Sequence, residues 1–182
     1  MNSRDLRAVE HIQRLVDIGV DSLKIEGRTK SHYYVARTAQ VYRQAIDDAV
    51  AGRPFNPGHI TALDNLANRG YTDAFYQRHK SHETQNYLDG SSKGTQQQFV
   101  GEITGYDADR GMAEVLVKNK FAVGDELELL LPEGNQPLVL DRIESRKGEA
   151  MQEVPGGGYE VLIPLPERDY SLALLTKNLK AA

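Results

Sequence analysis

The sequence predicts an α+β protein: the C-terminal remnant of an α/β (TIM-like) barrel over residues 1–75, a linker over 76–98 and a small antiparallel β-barrel over 99–180. Three observations predict it. Residues 1–70 alternate helical periodicity with one short apolar strand pattern; residues 76–98 are polar and aperiodic; beyond residue 98 the apolar period switches to two, with turn residues at short intervals.

Ser3 is placed to cap a helix whose apolar positions Leu6, Val9, Ile12, Leu15 and Val16 recur at helical spacing, with Gly19 as its terminator. Ser22 to Glu26 alternates, with Leu23 and Ile25 on one side, and reads as a strand. Ser31 opens a long helix with a stripe of Tyr34, Thr38, Val41, Tyr42, Ala45 and Ala49, stopping at Gly52 and Pro54. A shorter helix follows from about Ile60 to Ala67. One parallel-type strand between helices has no ladder partner of its own, so this region is expected to be the end of a larger α/β domain. A barrel is the natural parent, since its last strand is followed by a helix that closes the ring.

In the second half, Phe99–Thr104, Ala113–Val117, Glu126–Leu131, Pro137–Ile143 and Tyr159–Leu165 read as strands, and Ser171–Lys177 as a closing one. Between them lie Asp109-Arg110-Gly111, Gly124-Asp125, Glu133-Gly134-Asn135 and Pro155-Gly156-Gly157-Gly158. Closing short antiparallel strands into a barrel also removes exposed edges.

The net charge of −4 divides unevenly: residues 1–80 hold 12 Lys+Arg against 9 Asp+Glu, and residues 81–182 hold 10 against 17. The first part suits an anionic partner better than the second. No apolar run approaches the roughly 18 residues that span a bilayer, so a cytoplasmic protein without membrane contact is expected. With no cysteine, the chain has no disulfide, no thiol nucleophile and no cysteine-ligated metal. His11, His32, His59, His79 and His82 show no metal-ligand spacing, and no G-x-S-x-G, H-E-x-x-H or Walker pattern occurs. A metal site or a hydrolase centre within the chain is not expected.

The densest chemistry lies in "DSLKIEGRTKS", residues 21–31. Its IEGR tetrapeptide coincides with an engineered protease-recognition sequence, but it sits inside a continuous strand–helix pattern and reads as native. Glu26 ends the strand, Gly27 permits a sharp exit, and the loop carries Arg28, Thr29 and Lys30. On a barrel's active face, Arg28, Lys30 and the first N–H groups of the Ser31 helix would form an anion or phosphate cradle, with Arg37 further along. The competing reading is a Glu26–Arg28 or Glu26–Arg37 salt bridge beside an ordinary capped helix. Tyr33 and Tyr34 beside basic residues suit either base stacking or half-buried packing. Candidate catalytic residues are Glu26 and Arg28; candidate substrate-binding residues are Lys24, Lys30, Tyr33 and Arg37.

The stretches "MNSRDLRAVEHIQRLVDIGVDSLKIEGRTKSHYYVARTAQVYRQAIDDAVAG", "NRGYTDAF", "QNY" and "FVGEITGY…VKNKFAVGDELELL" resemble the C-terminal part of the U32 peptidase-like family. They are most similar to its bacterial prephenate-dependent tRNA uridine hydroxylase branch, and the KIEGR-x-K-S-x-Y-Y block carries most of the specificity. The resemblance implies a barrel-type catalytic domain followed by a β-barrel, hydroxylation of the wobble uridine of tRNA, tRNA as partner, and an iron–sulfur cluster on cysteines in the full-length protein. Two alternatives stand beside this reading: the collagenase-like peptidase activity that gives the family its label, or a non-catalytic RNA- or protein-binding module. The position after Tyr33–Tyr34, where the resemblance would place a cluster cysteine, is Val35, so no cluster ligand and no cofactor is assigned to this chain.

Overall fold

The computed structural model describes residues 2–28, 30–66, 70–73, 76, 85–86 and 97–179. The chain divides into two compact units, Met1–Thr95 and Gln96–Ala182.

In the first unit, strands β1 (Asn2–Ser3) and β2 (Asp5–Leu6) precede a 3-10 turn at Val9–His11 and helix α1 (Ile12–Asp17). Helices α2 (His32–Val50) and α3 (Gly58–Asp64) follow, then strands β3 (Tyr71–Thr72) and β4 (Gln85–Asn86). β2 runs parallel to β3, and β1 antiparallel to β4. The predicted Ser3-capped helix therefore starts later. The Asp5 and Arg7 N–H groups donate to the Gly70 and Thr72 carbonyls, which holds the backbone extended where periodicity alone suggested a helix. Gly19 does end α1, at φ 81°, with its N–H donating to the Val16 carbonyl.

Helix α2 matches its prediction closely. The Ser31 hydroxyl accepts from the Tyr34 N–H at 3.2 Å, and Tyr33, Arg37, Thr38, Val41, Ala45 and Ala49 form its buried face. α3 packs Leu63 and His59 inward, and Leu66 just beyond it is fully buried.

The strand expected at Ser22–Glu26 is not formed: residues 21–27 have no regular structure, and Ile25 is 51% exposed. An extended segment becomes a strand only when neighbours complete its hydrogen-bond ladder, and among the described residues none lies beside it. The only parallel ladder among the described residues is the two-residue pair β2–β3, so barrel architecture is not displayed here. Most of the expected linker at 76–98 lies outside the described residues; within it, Gln85–Asn86 forms β4, and Gln97 already belongs to the next unit's first strand.

The second unit holds β5 (Gln97–Asp107), β6 (Met112–Val117), β7 (Phe121–Ala122), β8 (Glu126–Leu131), β9 (Gly134–Val139), β10 (Ile143–Ser145), β11 (Ala150–Met151), β12 (Glu153–Val154), β13 (Glu160–Pro164) and β14 (Leu174–Asn178). Eight of them make one antiparallel sheet in the order β11-β10-β13-β6-β5-β14-β8-β9, and β7 pairs with β12. The ladder has edges at β9 and β11, so it is an open sheet by hydrogen bonding. Its strands nonetheless share one core, including Val100, Val115, Leu129, Ile143, Val161 and Leu175, which requires the sheet to curl. The Gly124 N–H donates to Leu140 and the Val123 N–H to Gln152, tying β7 to chain beyond both sheet edges.

The predicted strand Pro137–Ile143 is split into β9 and β10, and β9, which holds Pro137, is an edge, where a residue without an N–H is tolerated. Gly101 is required by close approach: a Cβ there would lie 2.6 Å from Val115 Cγ1 and 3.2 Å from the Leu116 carbonyl oxygen. Leu172 is the one non-glycine residue at positive φ among the described residues, at 65°, and its side chain is 83% exposed. Leu172→Gly is expected to raise unfolding stability by about 1 kcal/mol, because it relieves left-handed strain and forfeits little packing. A denaturant midpoint at or below that of the parent would contradict this.

Candidate functional site

The sequence-predicted residues separate into three environments. Lys24, Glu26 and Arg28 sit on the exposed segment, where Glu26 accepts from Arg28 Nε at 3.0 Å and lies 3.6 Å from Lys24 Nζ. The Arg28 side chain is 87% exposed, so this pairing adds about 0–1 kcal/mol at most and leaves the cation open to solvent. Tyr33 and Arg37 are buried on α2, with the Arg37 guanidinium 5.9 Å from the Tyr33 ring centroid and its Nη1 donating to Gln40. Thr29 lies outside the described residues.

Lys30 is the third case. Its ammonium donates to Asp5 Oδ2 at 2.6 Å and lies 4.3 Å above the Tyr34 ring, while the Tyr34 hydroxyl donates to the same Asp5 oxygen at 3.4 Å. Lys30 and Tyr34 stand four residues apart across the Ser31 cap, which puts both side chains on one side of the helix start. β2 carries Asp5 to them. Tyr71, on the neighbouring strand, donates to the Leu63 carbonyl at 2.8 Å and lies beside Tyr34.

These groups line a cavity of about 580 Å³ in the first unit. Lys24, Glu26 and Lys30 reach its wall; Arg28, Tyr33 and Arg37 do not. The expected convergence of Arg28 with Lys30 is replaced by two separate ion pairs. Asp5, Tyr34, Tyr42 and Tyr71 also line the cavity and are not among the candidate residues that the sequence marks. Apart from Tyr34, which the Lys30-x-x-x-Tyr34 spacing marks, they arrive from distant segments and carry no local motif.

Burial, then the Asp5 carboxylate, pushes the Tyr34 phenol up to about 12. Burial is also the first cause of the raised values at Tyr42 and Tyr71. Because the folded-state value for Tyr34 lies above the unfolded one, its contribution is fully present below the ordinary pKa of 10 and is lost as pH rises through about 12. Wild-type stability is expected to fall over that window, and Tyr34→Phe to flatten the fall in a denaturant series. Equal slopes in both proteins would contradict the assignment.

Elsewhere, Asp47 pairs with Arg43, and Asp48 with Arg53 at 2.7 Å and with buried His59 at 3.5 Å. The Arg53 hydrogen bond, more than any other group, lowers the Asp48 carboxyl below its ordinary value. His79 and His82 lie outside the described residues.

The model for peptidase family U32 matches residues 1–86, and the model for the U32 C-terminal domain matches residues 95–175. The chain belongs to peptidase family U32. Among curated U32 relatives, tRNA hydroxylation protein P of Escherichia coli (strain K12) is 55% identical over 179 residues, covering 98% of this chain and 39% of that protein. Its counterpart from Haemophilus influenzae is 52% identical, again over 98% of this chain and 39% of the relative. A collagenase of Porphyromonas gingivalis is 27% identical over 92% of this chain and 47% of its own length. The chain thus spans 39% of the length of each of these two tRNA hydroxylation proteins.

The iron–sulfur cluster implied by the family resemblance does not fit these residues. The sequence holds no cysteine, and among the described residues no group of three or more His, Asp or Glu side chains is placed to hold a metal ion. Among the described residues no helix is long and apolar enough to cross a membrane.

Proposed function

We propose that this chain is the C-terminal part of a tRNA-modifying hydroxylase that forms 5-hydroxyuridine at the wobble position in a prephenate-dependent reaction. The observation that carries the reading is 55% identity, sustained over 98% of the chain, to a protein named for tRNA hydroxylation. On this reading the first unit is the end of a larger α/β domain, and the cavity beside Lys30 belongs to its active face. Glu26 and Lys30 face the substrate there, and the iron–sulfur cluster rests on residues outside this chain. Lys24 and Arg28, exposed on the rim, contact tRNA phosphates, while Arg37 and Tyr33 hold the helix behind them. The protein works in the cytoplasm, with tRNA.

Deletion of the full-length gene is expected to abolish hydroxylated wobble uridine, measured by mass spectrometry of tRNA nucleosides, and re-expression to restore it. Undiminished hydroxylation in a deletion strain with no parallel route rejects the proposal, and cleavage of collagen by the purified full-length protein would favour the peptidase reading instead. Arg28→Ala is expected to weaken tRNA binding for all sequences alike and to lower the slope of log affinity against log salt by about one. An unchanged slope would remove Arg28 from the phosphate contacts.

A further inference from the structure

Tyr34, Thr38 and Tyr42 follow one another at four-residue spacing along one face of α2, and all three line the cavity of about 580 Å³. Tyr34 gives its hydrogen to Asp5, but the next two hydroxyls are not so engaged. Thr38 is only 8% exposed, and its Oγ1 has no hydrogen-bond partner among the described residues. A helical threonine ordinarily turns this hydroxyl to the carbonyl one turn back, and a buried hydroxyl left unpaired opposes folding. Tyr42 accepts the Ala8 N–H at 2.8 Å, while its own O–H hydrogen has no acceptor among the described residues. Accepting an amide strengthens that O–H as a donor, and burial raises its pKa, so it stays protonated at neutral pH. Ile12, Leu15, Leu23 and Leu63 supply apolar lining beside them. The five charged residues on the lining are already paired: Asp5 with Lys30 at 2.6 Å, Lys24 with Glu26 at 3.6 Å, and Arg7 with Asp64 at 2.7 Å. An ionic ligand would compete with one of these partners, whereas an uncharged one would not.

We propose that Thr38 and Tyr42 form a binding site for a small, largely apolar molecule that carries an uncharged carbonyl group. Its carbon skeleton lies against the aliphatic lining, and its carbonyl oxygen accepts from the two hydroxyls. The Thr38 hydroxyl, a cost to folding while unpaired, finds its partner in the ligand. Binding of this kind does not involve the exposed cations Lys24 and Arg28, and the inference stands without the tRNA reading above.

The test uses three probes of similar size: acetophenone, α-methylstyrene, in which a methylene group replaces the carbonyl oxygen, and benzoate, the charged analogue. Each is titrated into the 182-residue chain with isotope-labelled isoleucine and leucine methyl groups, and the NMR resonances of Ile12 and Leu63 are followed. Acetophenone is expected to shift them saturably, with benzoate about tenfold weaker or more. The ratio of acetophenone to α-methylstyrene affinity should fall about two- to tenfold in Thr38→Val and in Tyr42→Phe, since each removes one donor and keeps the apolar shape. Thr38→Val also removes an unpaired buried hydroxyl, so its melting temperature without ligand should hold or rise; a hydroxyl that served the fold would lower it. No saturation by acetophenone, equal binding of benzoate, an unmoved ratio in either folded variant, or a lowered melting temperature in Thr38→Val overturns the inference. Tyr42→Phe leaves the Ala8 N–H without its acceptor, and if it fails to fold Thr38→Val decides. The deletion-strain assay tests the tRNA reading alone, because no RNA enters these titrations.

Discussion

Phe121→Ala is expected to destabilise the second unit by about 3–5 kcal/mol, the usual cost of deleting a buried aromatic side chain and leaving its cavity. Phe121 is 0% exposed, the largest of the fully buried side chains among the described residues, and belongs to the core shared by the eight-stranded sheet and the β7–β12 pair. It also pairs with Val154 in the two-residue ladder that links β7 to β12, so its loss loosens both packing and pairing. Against a typical total of about 5–15 kcal/mol this is a large fraction, and at about 4–8 °C per kcal/mol the melting temperature should drop by at least about 12 °C. Val139→Ala on the exposed edge strand is the matched control, expected within about 0.5 kcal/mol. Urea unfolding followed by circular dichroism checks both. A Phe121→Ala midpoint close to that of Val139→Ala would mean the core is not organised around that ring.

Lys30→Met should reduce hydroxylated wobble uridine in a complemented deletion strain by about ten- to a hundredfold, the effect expected from losing one charged hydrogen bond to substrate. Methionine keeps most of the side chain's length and apolar stem while removing the ammonium that meets Asp5 at 2.6 Å. The full-length variant protein should accumulate normally, because the partner Asp5 retains Tyr34 as a donor and some contact with water. Arg28→Ala, whose side chain points into solvent beside Glu26, should reduce hydroxylation far less. If Lys30→Met restores hydroxylation as well as wild type, the cavity is not on the reaction path. If both variants are equally defective, the exposed rim matters as much as the cavity.

The longer strands of the second unit are legible because apolar runs bounded by turn residues mark them: Glu126–Leu131 has its expected bounds, with Leu127, Leu129, Leu130 and Leu131 buried, whereas the two-residue strands β7, β11 and β12 carry no such local signal. The helix from Ser31 was legible for the same reason, with a cap at one end and Gly52 at the other. Ser22–Glu26 carries an equally plausible alternation, yet it forms no strand, since a ladder partner is not a property of the segment. At the site, the motif pointed to Lys30 but paired it with Arg28. Its partner Asp5 lies 25 residues away and reaches it only because β2 is held on β3.

What the sequence determined by itself is the division into a helical first part and a β-rich second part, the caps of α2, the absence of any thiolate, and the family. Those follow from local periodicity, residue chemistry and motif. Tertiary structure alone decided which cations face the cavity, how the short strands order into one antiparallel sheet, and that Tyr34, Asp5 and Lys30 meet at one carboxylate oxygen. Each of these depends on bringing distant backbone segments within a hydrogen bond of one another, and no spacing along the chain encodes that distance.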